Sequence, residues 1–222
     1  IAIPFSADAT FRNGDVERNV DYQMKQSVGG NAGIWFPTRN KMAGFDLGLE
    51  ISGFVWYPDI ACCRAGVNGR IEPTNPDGFE GTTTETQGIY IGTNVMLRYP
   101  MGISEAYPNG RWFPYVGVGG GAHQIAQRPG GFRGAGFGNA IADQRNTSPG
   151  FMALGGFKAH LFKYVAAFVE AKYVQAFHDE LATDRFGVST PNGQNLFVDN
   201  YESTVRTIFV HGGLSIHFDV RP

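Results

Sequence analysis

Apolar and polar residues alternate along most of this chain, and residues 204–218 show the pattern most clearly. The apolar set in this stretch consists of Ile208, Val210, Leu214, Ile216 and Phe218. Because successive side chains of a strand point to opposite sides, the pattern predicts a strand with one purely apolar face. Strands of globular proteins usually run to about 5–6 residues, so a strand over residues 204–218 would be unusually long.

The same alternation recurs in seven earlier stretches: residues 1–11, 22–36, 45–57, 84–99, 111–124, 151–161 and 165–177. Residues 13–21 are polar and are predicted to form a loop. The connections at residues 37–42, 100–110 and 162–164 are short, whereas those at 58–82, 125–149 and 178–203 are long. In an up-and-down meander alternate connections lie at the same end. We therefore expect one short-turn end and one long-loop end.

Charged residues within the predicted strands define the face opposite the apolar one. We assign to this face Lys25, Asp46, Glu50, Arg98, Lys158, Glu170, Lys172 and Arg206. Charged residues make up 17% of the chain, against about 25% in ordinary soluble domains. No apolar run of about 20 residues is present, so a transmembrane helix is not expected. A transmembrane strand needs only about 10 residues with alternating apolar side chains.

These features predict an all-β fold. We expect a single domain over residues 1–222, an eight-stranded antiparallel up-and-down transmembrane β-barrel with short turns at one end and long loops at the other. In hydrocarbon every backbone N–H and C=O must find a partner within the protein, and a closed barrel meets that demand. An eight-stranded barrel has an interior that side chains can fill.

The inward charges then need partners, since a buried unpaired charge costs several kcal/mol. We predict an ion network inside the barrel, formed by Glu50, Arg98, Lys158, Glu170 and Lys172. Lys158 and Glu170 should be near neighbours across the tight turn, with Lys172 one step further on. We interpret the network as structural, and an ion or proton pathway is the alternative.

Aromatic residues near the strand ends are expected to form belts at the membrane–water interfaces, although ordinary packing at strand ends gives the same pattern. They are Trp35, Phe36, Tyr57, Tyr99, Trp112, Phe113, Tyr164, Tyr173 and Phe177.

Catalytic and metal-binding patterns are sparse. The only cysteines, Cys62 and Cys63, are adjacent and are interpreted as an incidental loop pair, with a vicinal disulfide or a link to another chain as alternatives. His178 ends a predicted strand at the long-loop end beside Asp179, which leaves a lipid-modifying enzyme as one hypothesis. The remaining histidines are predicted to be hydrogen-bonded interior residues: His123, His160, His211 and His217. We predict no catalytic residue, no metal and no cofactor.

Three segments carry a family resemblance: PYVGVGGGA at residues 114–122, FVEAKY at 168–173, and the closing strand ending at Phe218. In order along the chain they resemble the small eight-stranded outer-membrane barrels, the OmpA-like and opacity-type β-barrel domains. The resemblance implies an exported protein of a Gram-negative-type bacterial outer membrane, from which any signal peptide has been removed. It also implies outer-membrane lipids, lipopolysaccharide and the barrel-assembly machinery as partners.

The expected function is non-enzymatic: a structural or surface-interaction role of an integral outer-membrane barrel through its long external loops. The long loops would meet a protein partner, or the barrel would belong to a larger membrane assembly. A narrow, porin-like pore for ions or small solutes is the second hypothesis, and a soluble lipocalin-like calyx that binds an apolar ligand is the third. The net charge of −2 gives no electrostatic reason to expect nucleic acid.

Overall fold

The computed structural model describes residues 1–5, 7–11, 16–20, 24–57, 64–65, 71–72, 85–128, 144–187 and 195–218. Its elements are β1 (Ala2–Pro4), β2 (Ala7–Phe11), β3 (Val16–Val20), β4 (Ser27–Phe36), β5 (Asp46–Trp56), β6 (Arg64–Ala65), β7 (Ile71–Glu72), β8 (Glu85–Arg98), β9 (Trp112–Arg128), β10 (Gln144–His160), β11 (Val165–Gly187) and β12 (Asn195–Ile216). Among the described residues, no helix has the length and apolar character needed to cross a membrane.

The strands form an antiparallel meander. β4, β5, β8, β9, β10, β11 and β12 are hydrogen-bonded to one another in that order. The second edge of β12 pairs with β1 and with β2, which together make the first strand of the wall. The predicted all-β class, with eight antiparallel strands in an up-and-down order, is confirmed.

The sheet curls so that its first strand lies between its last and its second. Ala7 of β2 pairs with Val20 of β3, and Ala2 forms a separate antiparallel bridge with Lys25 just before β4. Both pairs fit one antiparallel register, because Ala2 precedes Ala7 by as many residues as Lys25 follows Val20. Within the described residues, the outer edge of β4 has no ladder partner beyond this bridge.

The two faces of the wall differ as the alternation predicts. The inner face buries polar and charged side chains, among them Asp46, which is fully buried, and Asn94. The outer face leaves large apolar side chains exposed, including Leu214 at 70%. The assignment of Arg206 to the inner face is wrong: its side chain is exposed, and its neighbour Thr207 is buried. Arg206 is an even number of residues away from the outward residues Val210 and Leu214 of β12. Because side chains alternate along a strand, it also points outward.

The strands extend further than the sequence pattern predicts. Residues 16–20 were expected in a loop but form β3, and both β9–β10 and β11–β12 continue pairing into the predicted long loops. The register of β11 and β12 shifts between His178 and Leu181 and then continues to Gly187. Pairing needs only backbone N–H and C=O groups, so a hairpin can extend where apolar alternation has ended. Cys62 and Cys63 lie outside the described residues.

Candidate functional site

The candidate site is the barrel interior, where inward side chains lie at four levels between the short-turn end and the long-loop end. We call these levels the arginine clasp (Arg39, Asp46 and Arg98), the charge layer (Glu50, Lys158, Glu170 and Lys172), the aromatic layer (Phe54, Trp56, Tyr90 and Phe209) and the histidine cluster (His123, Asn146, Ser148 and His178). Each level draws residues from several strands, because the inward residues of neighbouring strands lie side by side.

Small residues on β9 make room for this packing. A Cβ atom added at Gly117 would collide with the side chain of Met96, and one added at Gly119 would collide with Asn94. The glycines therefore let large side chains of β8 fill the interior beside β9.

Glu170 and Lys172 form the central ion pair of the charge layer. The Nζ atom of Lys172 lies 3.0 Å from Oε1 of Glu170, and both side chains are almost completely buried. The hydroxyl of Tyr115 donates to Oε2 of Glu170 at 3.1 Å. The Lys172 ammonium also lies 5.5 Å from the ring centroid of Phe54. Both oxygens of the buried carboxylate therefore have partners, as burial of a charge requires.

Glu50 connects the charge layer to three strands. Its carboxylate accepts hydrogen bonds from Asn31 Nδ2 of β4 and from Ser52 Oγ of β5, each at 2.8 Å. Asn94 of β8 donates in turn to Ser52 Oγ at 3.0 Å. The chain of hydrogen bonds therefore connects a carboxylate on β5 with polar residues on both neighbouring strands.

Lys158 lies in the same layer, on the strand that pairs with the strand of Glu170. Its ammonium donates to Ser215 Oγ at 3.2 Å and lies 5.5 Å from the ring of Phe168. Glu50 and Glu170 both interact with it coulombically. The ladder pairs Lys158 with Phe168 and Glu170 with Gly156, and Glu170 makes its direct ion pair with Lys172 on its own strand. The layer as a whole contains two ammonium groups and two carboxylates.

Arg98 belongs to the arginine clasp at the short-turn end. Its Nη2 lies 3.0 Å from Oδ2 of Asp46, and Nε of Arg39 lies 3.3 Å from the other oxygen. Arg39 also donates to the backbone oxygen of Pro108 and to Asn109 Oδ1, at 3.3 and 3.2 Å. The clasp therefore ties the turn before β5 to the turn before β9.

The sequence analysis did not include Asp46 or Arg39 in the ion network. Asp46 was assigned to the inner face, and its ladder partner is Arg98, so the register of β5 and β8 would have identified the pair. Arg39 lies in a turn, where alternation gives no signal. The Arg98 guanidinium also lies 4.7 Å from the ring centroid of Trp35.

The aromatic layer fills the interior above the charges. Phe54 stacks on Tyr90 with ring centroids 5.2 Å apart, and it meets Phe209 at 4.5 Å. Trp56 meets Phe209 edge to face at 5.4 Å. Phe54 and Trp56 belong to β5, whereas Phe209 belongs to β12, so these contacts cross the interior.

The histidine cluster lies near the long-loop end. His178 Nδ1 is 2.6 Å from Oδ1 of Asn146, which also accepts a hydrogen bond from Ser148 Oγ at 3.0 Å. Because this amide oxygen only accepts, Nδ1 of His178 carries a proton. His178 Nε2 is 2.8 Å from His123 Nδ1, so Nε2 of a neutral His178 accepts a hydrogen bond from the Nδ1–H of His123. The contact occupies a histidine nitrogen that a hydrolytic enzyme would need as a base.

The other histidines also line the interior. His211 lies 3.1 Å from Ser27 Oγ, and His217 lies 2.8 Å from Ser215 Oγ. The rings of His160 and His217 are 4.7 Å apart between centroids. Within the described ranges, no group of three or more histidine, cysteine, aspartate or glutamate residues is arranged to hold a metal ion.

Comparison with known proteins gives one likeness. No protein-family model matches the chain, and no curated protein matches it. Among solved structures, the crystal structure of Neisserial surface protein A aligns with 94% of each chain, with 13% sequence identity and a TM-score of 0.36. At these values the likeness supports no conclusion about this chain, whose fold rests on its own strand ladders.

Proposed function

We propose that this chain is a non-enzymatic integral membrane β-barrel of the bacterial outer membrane. In this proposal the interior acts as a structural core and the long-loop end meets partners. The observation that carries the proposal is the distribution of side chains: charged groups are buried and paired inside, while large apolar groups such as Ile51 and Leu214 are exposed outside.

The outer face supports a lipid environment on energetic grounds. Apolar surface gains about 25 cal/mol for each Å² removed from water, and soluble monomers rarely expose contiguous apolar patches beyond a few hundred Å². A wall whose strands each carry an exposed apolar row fits hydrocarbon much better than water. A calyx of the lipocalin type would need the opposite arrangement, with the apolar row inside.

The interior supports a structural role over a pore. The charge layer is balanced, and each of its groups has an ion-pair or hydrogen-bond partner among the interior side chains. Phe54 and Phe209 meet across the interior next to it. An eight-stranded barrel is just wide enough for its side chains to fill. The narrow pore therefore remains the weaker hypothesis.

The partners in this proposal follow from the location. Outer-membrane lipids and lipopolysaccharide would cover the apolar wall, and the barrel-assembly machinery would insert it. A protein partner would bind at the long-loop end or would enclose the barrel in a larger assembly. Membership of the OmpA-like and opacity-type barrels is part of the proposal and rests on the sequence resemblance.

Cell fractionation combined with gel mobility tests the proposal. A closed membrane barrel resists SDS until it is heated, so we expect recovery in the outer-membrane fraction and different migration of boiled and unboiled samples. Recovery in a soluble fraction with no heat-dependent shift would refute the proposal. That result would favour a search for a small apolar ligand.

A further inference from the structure

Two cationic side chains at the short-turn end each lie against the aromatic ring that follows them in sequence. The Arg111 guanidinium is 5.2 Å from the ring centroid of Trp112, and the Lys163 ammonium is 5.1 Å from that of Tyr164. All four residues are exposed. Both pairs occur where a turn meets a strand, at the start of β9 and just before β11.

The two pairs belong to adjacent turns. His160 at the end of β10 donates its backbone N–H to the carbonyl oxygen of Arg111 at 2.8 Å. Trp112 pairs with Ala159 in the β9–β10 ladder. Lys163 and Tyr164 lie in the turn between β10 and β11. Both cations are therefore located along one arc of the rim.

Next to this arc, the outer face of the wall is apolar. Leu161 and Phe162 in the same turn are exposed, and the Trp112 ring lies 6.3 Å from that of Phe157 on the outer face. The cations therefore stand at the edge of the exposed apolar band. If the barrel spans a membrane as proposed, this edge is the level at which hydrocarbon meets headgroups.

The charge at this end is predominantly positive. Lys41 in the first turn is an additional exposed cation, and Glu105 is the exposed acidic residue of the turn before β9. The carboxylate of Asp46 is buried and is paired with Arg39 and Arg98. Across the described residues, no carboxylate lies within ion-pair distance of Arg111 or Lys163.

We propose that Arg111–Trp112 and Lys163–Tyr164 together bind the phosphate of an anionic phospholipid in the leaflet at the short-turn end. The inference rests on the proposed membrane location and adds the lipid class. The two cations would donate charge-assisted hydrogen bonds to phosphate oxygens. The rings would lie beside the glycerol and ester region, where amphipathic aromatic side chains accumulate.

Native mass spectrometry of the detergent-purified barrel tests this proposal, with dioleoyl phosphatidylglycerol and dioleoyl phosphatidylcholine as probes. We expect the wild-type barrel to retain phosphatidylglycerol in preference to phosphatidylcholine. The double substitution R111Q/K163Q should reduce that preference by about 25-fold, since each cation near an anionic surface contributes roughly fivefold in affinity. The matched control is R206Q, which removes an exposed cation from the middle of β12, away from the short-turn rim.

Three results would overturn the proposal. The first is an unchanged preference in R111Q/K163Q, and the second is an equal loss in R206Q, which would show a general charge effect. The third is a wild-type chain that shows no heat-dependent gel shift and takes up neither lipid. That last result would refute the membrane barrel itself, whereas the first two would leave the proposed function intact.

Discussion

Phe54 on β5 and Phe209 on β12 meet inside the barrel with ring centroids 4.5 Å apart. In the hydrogen-bonded order of the sheet, four strands separate β5 from β12 on one side. The contact therefore shows how far the wall curls and where its interior is filled. It also places an aromatic layer directly beside the buried charges, since Lys172 lies against the ring of Phe54.

The first prediction concerns this contact. Phe209→Ala removes a fully buried ring that touches Phe54 and Trp56, and the wall leaves little freedom to collapse around the cavity. We expect the free energy of unfolding to fall by about 3–5 kcal/mol. Urea unfolding in detergent micelles measures it. The control is Leu214→Ala on the outer face, which creates no internal cavity; an equal loss there would show that Phe209 is not a core residue.

The second prediction concerns the central ion pair. Glu170→Ala leaves the ammonium of Lys172 buried beside the ring of Phe54 without its carboxylate, so we expect a loss of about 3–5 kcal/mol in unfolding free energy. Replacing both residues, as in E170Q/K172M, should recover part of that loss. Unfolding of the wild-type chain, E170Q, K172M and E170Q/K172M forms a double-mutant cycle, with the exposed Glu202→Gln as control. Strict additivity of the two single effects would contradict the pairing.

The third prediction ranks the members of the arginine clasp. Asp46→Asn removes the charge that pairs with the buried guanidinium of Arg98 and should lower the unfolding free energy by about 3–5 kcal/mol. Arg39→Gln should cost only about 1 kcal/mol or less, because its side chain remains 21% exposed. Thermal or urea unfolding of both variants checks the order. A larger effect of Arg39→Gln than of Asp46→Asn would show that the turn, and not the buried pair, holds this end.

The fourth prediction concerns conductance. The purified wild-type barrel should be silent in planar bilayers, because paired charges and aromatic rings fill its interior. The double substitution F54A/F209A removes the rings that meet across the interior and should produce small conductance steps if it folds, which a heat-dependent gel shift verifies. Stable wild-type conductance would favour the narrow pore over the structural core.

Much of the fold was predictable because one physical rule governs it. Alternation identified the two faces of the strands. Charged residues at the positions between the apolar ones were then assigned to the interior. The inward positions of Glu50, Lys158, Glu170 and Lys172 follow from this rule. The same rule gives the correct outward position of Arg206, because Arg206 lies two residues from Ile208 and therefore on the same face of β12.

The remaining features depend on information that alternation does not contain. The pairing of Asp46 with Arg98 requires the register between two strands, and the contact of Arg39 requires the path of a turn. The extension of β11 to Gly187 rests on backbone pairing in a polar segment. The ion pair between Glu170 and Lys172 on β11 and the hydrogen bond from Lys158 to Ser215 depend on side-chain rotamers, which alternation does not specify.

The central claim is that the apolar face of the wall meets lipid and the charged face is enclosed. Spin labels placed one at a time from Val210 to Ser215, in a chain carrying C62S/C63S and reconstituted in vesicles, test it most directly. We expect collisions with lipid-soluble oxygen to peak at Val210, Gly212 and Leu214 and to fall at His211, Gly213 and Ser215. The opposite phase, or uniform access of a water-soluble nickel reagent to the labels at Val210, Gly212 and Leu214, would contradict it.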